Sequence, residues 1–245
     1  MTKKITLSSL LLALWGASSL AFAHTTIKDQ ATEGATLYTA AVISHGCGDG
    51  AKPNLPVIAQ SIVFPNGPSS IITRSDNPNE PVSLGDVLVG GQHSHGLINP
   101  VAIQDKNVFN AIEQLTDETQ VVRGIHYSDG ELQVDLTGVI PFRLSGVTFV
   151  KESCATKVNV RIGIANWCHH DPGVRRVDAW IGKTTPVFND ARVVSLNFWP
   201  TLTINRDLAV NPLPENCGEG YEVTIEPSDT TIDQYLPMSG FIPGI

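Results

Sequence analysis

Charge is scarce in this sequence: only 16% of its 245 residues are Asp, Glu, Lys or Arg, against roughly a quarter in an ordinary globular domain. The positive sign is the scarcer one, 16 basic residues against 24 acidic, for a formal net charge of −8. Without basic clusters the chain lacks the field that attracts phosphate backbones or anionic bilayers, so nucleic acid and acidic lipid are excluded as partners. Long apolar runs are missing after the N-terminal stretch, and nothing later approaches the ~20 residues that a membrane-spanning helix needs. Catalytic signatures are absent too. There is no Gly-x-Ser-x-Gly, no His-Glu-x-x-His, no phosphate loop and no dinucleotide fingerprint. No Cys-x-x-Cys pair occurs, which argues against a structural zinc site or a thioredoxin-like redox motif.

What is present begins with an export signal. Lys3 and Lys4 precede a largely apolar stretch from Ile5 to Ala17, and Ala21-Phe22-Ala23 has the small-x-small form of a cleavage site. The expectation is a signal peptide over 1–23, followed by a single β-rich domain over 24–245 in which His24 is the first residue. Such a chain is secreted, periplasmic or associated with the outer cell surface. Cys47, Cys154, Cys168 and Cys217 form an even set, so an oxidising compartment implies two disulfides, with three connectivities open. Cys154 and Cys168 flank the run Lys157 to Ala165 and could staple its ends to a neighbour.

The fold class follows from short β-like runs: Leu37–Ile43, Val57–Phe64, Val121–Tyr127, Leu132–Leu136, Phe142–Val150, Lys157–Ala165, Val193–Trp199 and Tyr221–Ile225. Lys157 to Ile162 alternates polar and apolar residues, as a half-buried strand should. Gly, Pro, Asn and Asp clusters separate the runs, and Ser128-Asp129-Gly130 gives the best hairpin signal. Only Asn107–Leu115 has helical spacing, through Val108, Ile112 and Leu115. An all-β, loop-rich antiparallel β-sandwich is predicted, with one or two short helices and two disulfides.

Histidines carry the functional signal. His93-Ser94-His95 lies among glycines, and residues i and i+2 of an extended segment share a face, so both rings could reach one ion. Ser-His-Gly occurs twice, at Ser44-His45-Gly46 and Ser94-His95-Gly96, with glycines that let backbone approach a site closely. A second cluster is Trp167-Cys168-His169-His170-Asp171. A third candidate is His24, whose α-amine and ring would face the same ion after cleavage. Histidine donors exclude calcium and magnesium. Zinc takes three-histidine sets, while nitrogen donors, export and a nearby aromatic favour copper. The alternative is exposed loop histidines on a metal-free surface module.

The exported β-rich chain, with Tyr38, Val42-Ile43-Ser44-His45-Gly46-Cys47, His93-Ser94-His95 and Trp167-Cys168-His169, resembles the methanotroph surface copper proteins, namely the copper-repressible copper-binding protein and the secreted C-terminal part of outer-membrane protein E. The resemblance implies a loop-rich β-sandwich holding one copper(I) ion by two histidines, near a kynurenine derived from a tryptophan two residues before a ligand histidine. Ile43 stands in that place before His45, a departure, whereas Trp167 stands so before His169. His45 and His95, with His93 as alternate, therefore compete with Trp167 and His169. His24, a strand, then His45-Gly46-Cys47-Gly48 also looks like exported domains whose N-terminal histidine chelates copper(II). That likeness leaves a copper-dependent oxidative enzyme open beside a non-enzymatic copper binder.

Overall fold

The structure, a computed structural model, describes residues 24–48, 54–65, 69–90, 98–169 and 176–241. The expected signal peptide lies outside these residues, as do His93, His95 and His170.

Among the described residues, strands β1 (Thr26–Ile27), β2 (Ala31–Thr32), β3 (Leu37–Ile43), β4 (Val57–Val63), β5 (Ile71–Arg74) and β6 (Val101–Ala102) come first. The middle of the chain forms β7 (Phe109–Thr116), β8 (Val122–Gly130), β9 (Gly138–Leu144), β10 (Ala155–Arg161) and β11 (Gly163–Cys168). β12 (Val177–Trp180), β13 (Thr201–Asn205), β14 (Tyr221–Glu226) and one helix, α1 (Asp229–Tyr235), follow. They assemble into a four-stranded sheet, β1-β3-β9-β6, and two five-stranded sheets, β2-β13-β10-β14-β5 and β12-β11-β4-β8-β7. Pairing is antiparallel except between β10 and β14 and between β13 and β2. The chain is the β-sandwich its sequence predicts, with one short helix and two disulfides.

Alternation sets the faces. On β10, Val158 and Val160 enter the main core with Leu202, Ile204, Val223 and Ile225, while Lys157 and Asn159 turn outward and donate to Glu222 at 2.7 and 2.9 Å. β4 and β11 are buried along nearly their whole length because both faces of their sheet are covered. Ile62 and Ile164 point into the main core. Ala59, Val63, Ala165 and Trp167 point the other way, under Phe188, Ile232 of α1 and Leu236 just after it.

Four sequence expectations need correction. Asn107–Leu115 is not helical: Phe109–Thr116 is the edge strand β7, paired with β8 along its length. A nine-residue helix is marginal on its own, and the ladder on β8 supplies what helical spacing could not. Ser128-Asp129-Gly130 is no hairpin turn either, because β8 runs through it to Gly130. Asp129 takes φ 58° there, and the chain then crosses so that Leu132 bridges Val57. Leu132–Leu136 and Val193–Trp199 contribute single bridges instead of strands. Finally, Lys157–Ala165 breaks at Ile162, whose N–H donates to the Pro200 carbonyl, so β10 and β11 belong to different sheets. The flanking cysteines staple to different neighbours, Cys154 to Cys217 and Cys168 to Cys47.

Candidate metal centre

The loop after β3, Ser44-His45-Gly46-Cys47-Gly48, is laid against residues 54–56 at the entrance to β4. Cys47 and Leu55 exchange backbone hydrogen bonds at 3.0 and 2.8 Å. A Cβ on Gly46 would run into the Leu55 carbonyl, and one on Gly48 into the Asn54 side chain. Gly46 is thus needed for backbone approach. The Cys47–Cys168 disulfide, with Cα atoms 6.0 Å apart, ties this loop to the end of β11. His169 follows directly, and its N–H donates to Pro56 at 3.2 Å. His45 and His169 are therefore carried by two segments that one buried cross-link joins.

Each ring has a defined proton. His45 Nδ1 lies within hydrogen-bond reach of the Gly46 carbonyl; a carbonyl oxygen only accepts, so Nδ1 donates and Nε2 presents its lone pair. His169 Nε2 donates to Glu131 Oε2 at 2.8 Å, which leaves Nδ1 as the lone-pair nitrogen of the neutral ring. The bonds from His169 and Gln133 hold the Glu131 carboxyl below its ordinary range. A histidine whose second nitrogen donates to a carbonyl or carboxylate has the outer-shell arrangement of a metal ligand.

His24 reaches the same edge. The register Thr26↔Val42 carries it opposite Ser44, whose hydroxyl donates to the His24 carbonyl at 3.5 Å. Its ring packs 4.1 Å from Phe198 and 5.0 Å from Trp180, centroid to centroid. The next residue is anchored by a buried amide chain. Gln60 Nε2 donates to Asn166 Oδ1, and Asn166 Nδ2 donates to the Thr25 hydroxyl, both at 2.8 Å. The Trp180 indole N–H is buried without an acceptor among the described residues.

Trp167 has a different setting. Its indole is fully buried, donates to Ser61 Oγ at 2.9 Å, and packs against Phe188 and Phe241 in the second core. A register shift between Trp167 and Cys168 lies at this strand end. His126, the remaining described histidine, is buried on β8 with Nε2 donating to the Tyr235 carbonyl at 2.9 Å.

Of the sequence candidates, the structure pairs the backbone of His24 with the end of β3 that leads into His45, links the His45 loop to the segment of His169 through Cys47–Cys168, and sets the Trp167 ring in the core. His93 and His95 lie outside the described residues. No three His, Cys, Asp or Glu side chains among the described residues form a ready-made metal cluster. Sequence reasoning missed Glu131, Trp180 and Phe198. Their partners stand 38, 156 and 174 positions away, and no local pattern marks such pairs. Among the described residues no helix is long and apolar enough to cross a membrane. No family model and no curated protein matches the chain. Among solved structures it is similar to an uncharacterized protein from Nocardia farcinica with an immunoglobulin-like fold, at 15% identity over 74% of this chain and 98% of that one, with a TM-score of 0.34. A likeness that distant carries no argument, and the sandwich rests on the strand pairing described above.

Proposed function

We propose that the chain, cleaved after Ala23, is an exported copper-binding protein that handles or scavenges copper at the edge carrying His24, His45 and His169. One observation supports this reading: on two segments joined by a disulfide, two imidazoles each turn one nitrogen to an oxygen acceptor, so that the other nitrogen of the neutral ring is the one a metal would take. Nitrogen donors favour copper in the divalent series. Both disulfides together consume all four cysteines, so no thiolate competes for the ion, and paired cysteines suit an oxidising compartment. His93 and His95 are the further ligands that the sequence offers. Metal analysis of protein from the exported fraction should find one copper per chain. His45→Ala combined with His169→Ala should abolish it. A wild-type protein without copper sinks the reading, and zinc in its place would change the metal. Full retention in that variant, with loss on replacing His93 and His95, would move the site to the Gly-rich segment.

A copper-dependent oxidative enzyme is the second reading, favoured by the His24 ring packed between Phe198 and Trp180 where a chain terminus would otherwise fray. It requires the freed α-amine as a ligand. Copper retention after adding one residue before His24 would remove it.

A further inference from the structure

We infer that the Cys47–Cys168 disulfide is the positioning element of the metal centre, so that copper affinity depends on the oxidation of this disulfide and not on Cys154–Cys217. The inference rests on the copper reading above and adds its regulation.

The argument is one of connectivity. His45 stands two residues before Cys47 and His169 immediately after Cys168, so the S–S bond is the shortest covalent path between the two rings. The sulfurs are enclosed, Cys47 being 1% and Cys168 4% exposed. Non-covalent contacts hold each segment separately: Cys47 pairs with Leu55, and His169 bonds Pro56. Both of those contacts reach the same short segment, 55–56, from its two sides, so the disulfide closes a ring through the entrance to β4. Opened, the ring leaves His45 on a loop held by hydrogen bonds alone, from Cys47 to Leu55, Gly46 to Val134 and Ser44 to His24, and His169 at a strand end whose register has already shifted. Reduction by a dithiol breaks the S–S bond and gives Cys47 and Cys168 thiols, while the reductant's two sulfurs become its own disulfide. The two imidazoles then share only the hydrogen bonds to Leu55 and Pro56 as a frame. Cys154–Cys217 joins the start of β10 to the loop before β14, and none of the three candidate histidines is next to it in sequence.

The test compares Cys47→Ser/Cys168→Ser with Cys154→Ser/Cys217→Ser in the mature protein. Copper affinity is measured by chelator competition and the copper(II) site by electron paramagnetic resonance. The first pair should weaken copper by about 10–100-fold, the range typical for loss of an outer-shell support, and should change the spectrum. The second pair should leave both unchanged while lowering the melting temperature. By reciprocity, copper should raise the melting temperature of the wild type more than that of the Cys47→Ser/Cys168→Ser protein. Cys154→Ser/Cys217→Ser protein, whose one remaining disulfide is opened by a phosphine in denaturant, alkylated, refolded and desalted, provides an independent preparation of the untied state. Affinity within twofold of wild type in the untied chain overturns the inference, as does equal loss in both serine pairs. Loss of a cooperative melt in both untied preparations overturns it too, since the bond would then be a staple of the fold. Wild-type protein that binds no copper fails the functional reading instead, and does so before either pair is compared.

Discussion

The surroundings of the two disulfides differ in what they do with their polar groups. Near Cys154–Cys217, the buried Arg206 guanidinium donates to the carbonyls of Ser153, Ala155, Lys151, Asn211 and Pro212 and to the Asn211 side chain. Glu33 completes the knot by accepting from the backbone of Phe149 and Asp207 and from Asn211. Every part of that guanidinium is committed inside the fold. Beside Cys47–Cys168, by contrast, two histidine rings each commit one nitrogen and keep the other as a lone pair. A knot whose donors all end on protein acceptors stabilises. An edge whose nitrogens are oriented but unspent is equipped to bind. The histidine edge therefore holds the candidate centre, although the arginine knot is the more elaborate network.

The largest effect should come from breaking the knot. Arg206→Met leaves several buried carbonyls without donors, at roughly 1–3 kcal/mol each, so urea denaturation should show a loss above about 3 kcal/mol with copper binding per folded molecule unchanged. If the variant unfolds no more easily than wild type, the saturated network is not the stabilising one. The glycines beside each disulfide give a matched, smaller pair. Gly220 has φ 71° and faces the Cys154 carbonyl, and Gly46 faces the Leu55 carbonyl. An alanine at either should cost about 2 kcal/mol, at Gly220 through its left-handed backbone and at Gly46 through collision of the new Cβ with the Leu55 carbonyl. Gly46→Ala should also weaken copper, whereas Gly220→Ala should not. Equal copper affinity in the two variants would erase the difference between the regions.

Trp167 tests where that difference ends. Trp167→Phe removes the indole bond to Ser61 and part of the second-core packing, a loss of about 1–2 kcal/mol readable by thermal melting. Because the ring is fully buried, copper stoichiometry should stay at the wild-type value. A fall in copper with no change in melting would return Trp167 to the metal centre.

The fold was largely legible in the sequence, the site only in parts. Leu37–Ile43 is one strand from end to end because turn residues bound it and its apolar side chains have one core to face. Lys157–Ala165 looked continuous because a strand leaving one sheet and a strand entering the next both bury valine and isoleucine, and the switch at Ile162 depends on the distant Pro200. Asn107–Leu115 misled because the covered positions of this edge strand, Phe109, Ile112 and Leu115, fall three residues apart. In the candidate site, Ser44-His45-Gly46 was readable as a motif, since Gly46 answers to a contact nearby in sequence, the Leu55 carbonyl. The cross-link to residue 168 and the acceptor at Glu131 were not readable, since they are products of sheet order.

His126 gives the smallest effect and a control for any pH dependence of the chain. Its Nε2 donates to the Tyr235 carbonyl at the end of α1, Glu113 faces it across the ladder from β7, and Ser61 faces it from β4. Burial lowers its pKa from the ordinary 6.5, against the opposing pull of the Tyr235 bond and the Glu113 charge. The folded ring therefore stays neutral at a pH where the unfolded chain takes up a proton. Because the unfolded state binds more protons in that window, stability should fall as pH drops below about 6.5 and level off only below the depressed folded value. His126→Gln keeps a donor for the Tyr235 carbonyl without a titrating group, so its urea midpoint should vary less between pH 7.5 and pH 5.5. Parallel curves for the two proteins would mean that the acid sensitivity lies elsewhere, and the exposed histidine edge would be the next place to measure it. A flatter curve for the variant would separate a buried structural histidine from the candidate ligands and sharpen the contrast between committed and uncommitted nitrogens.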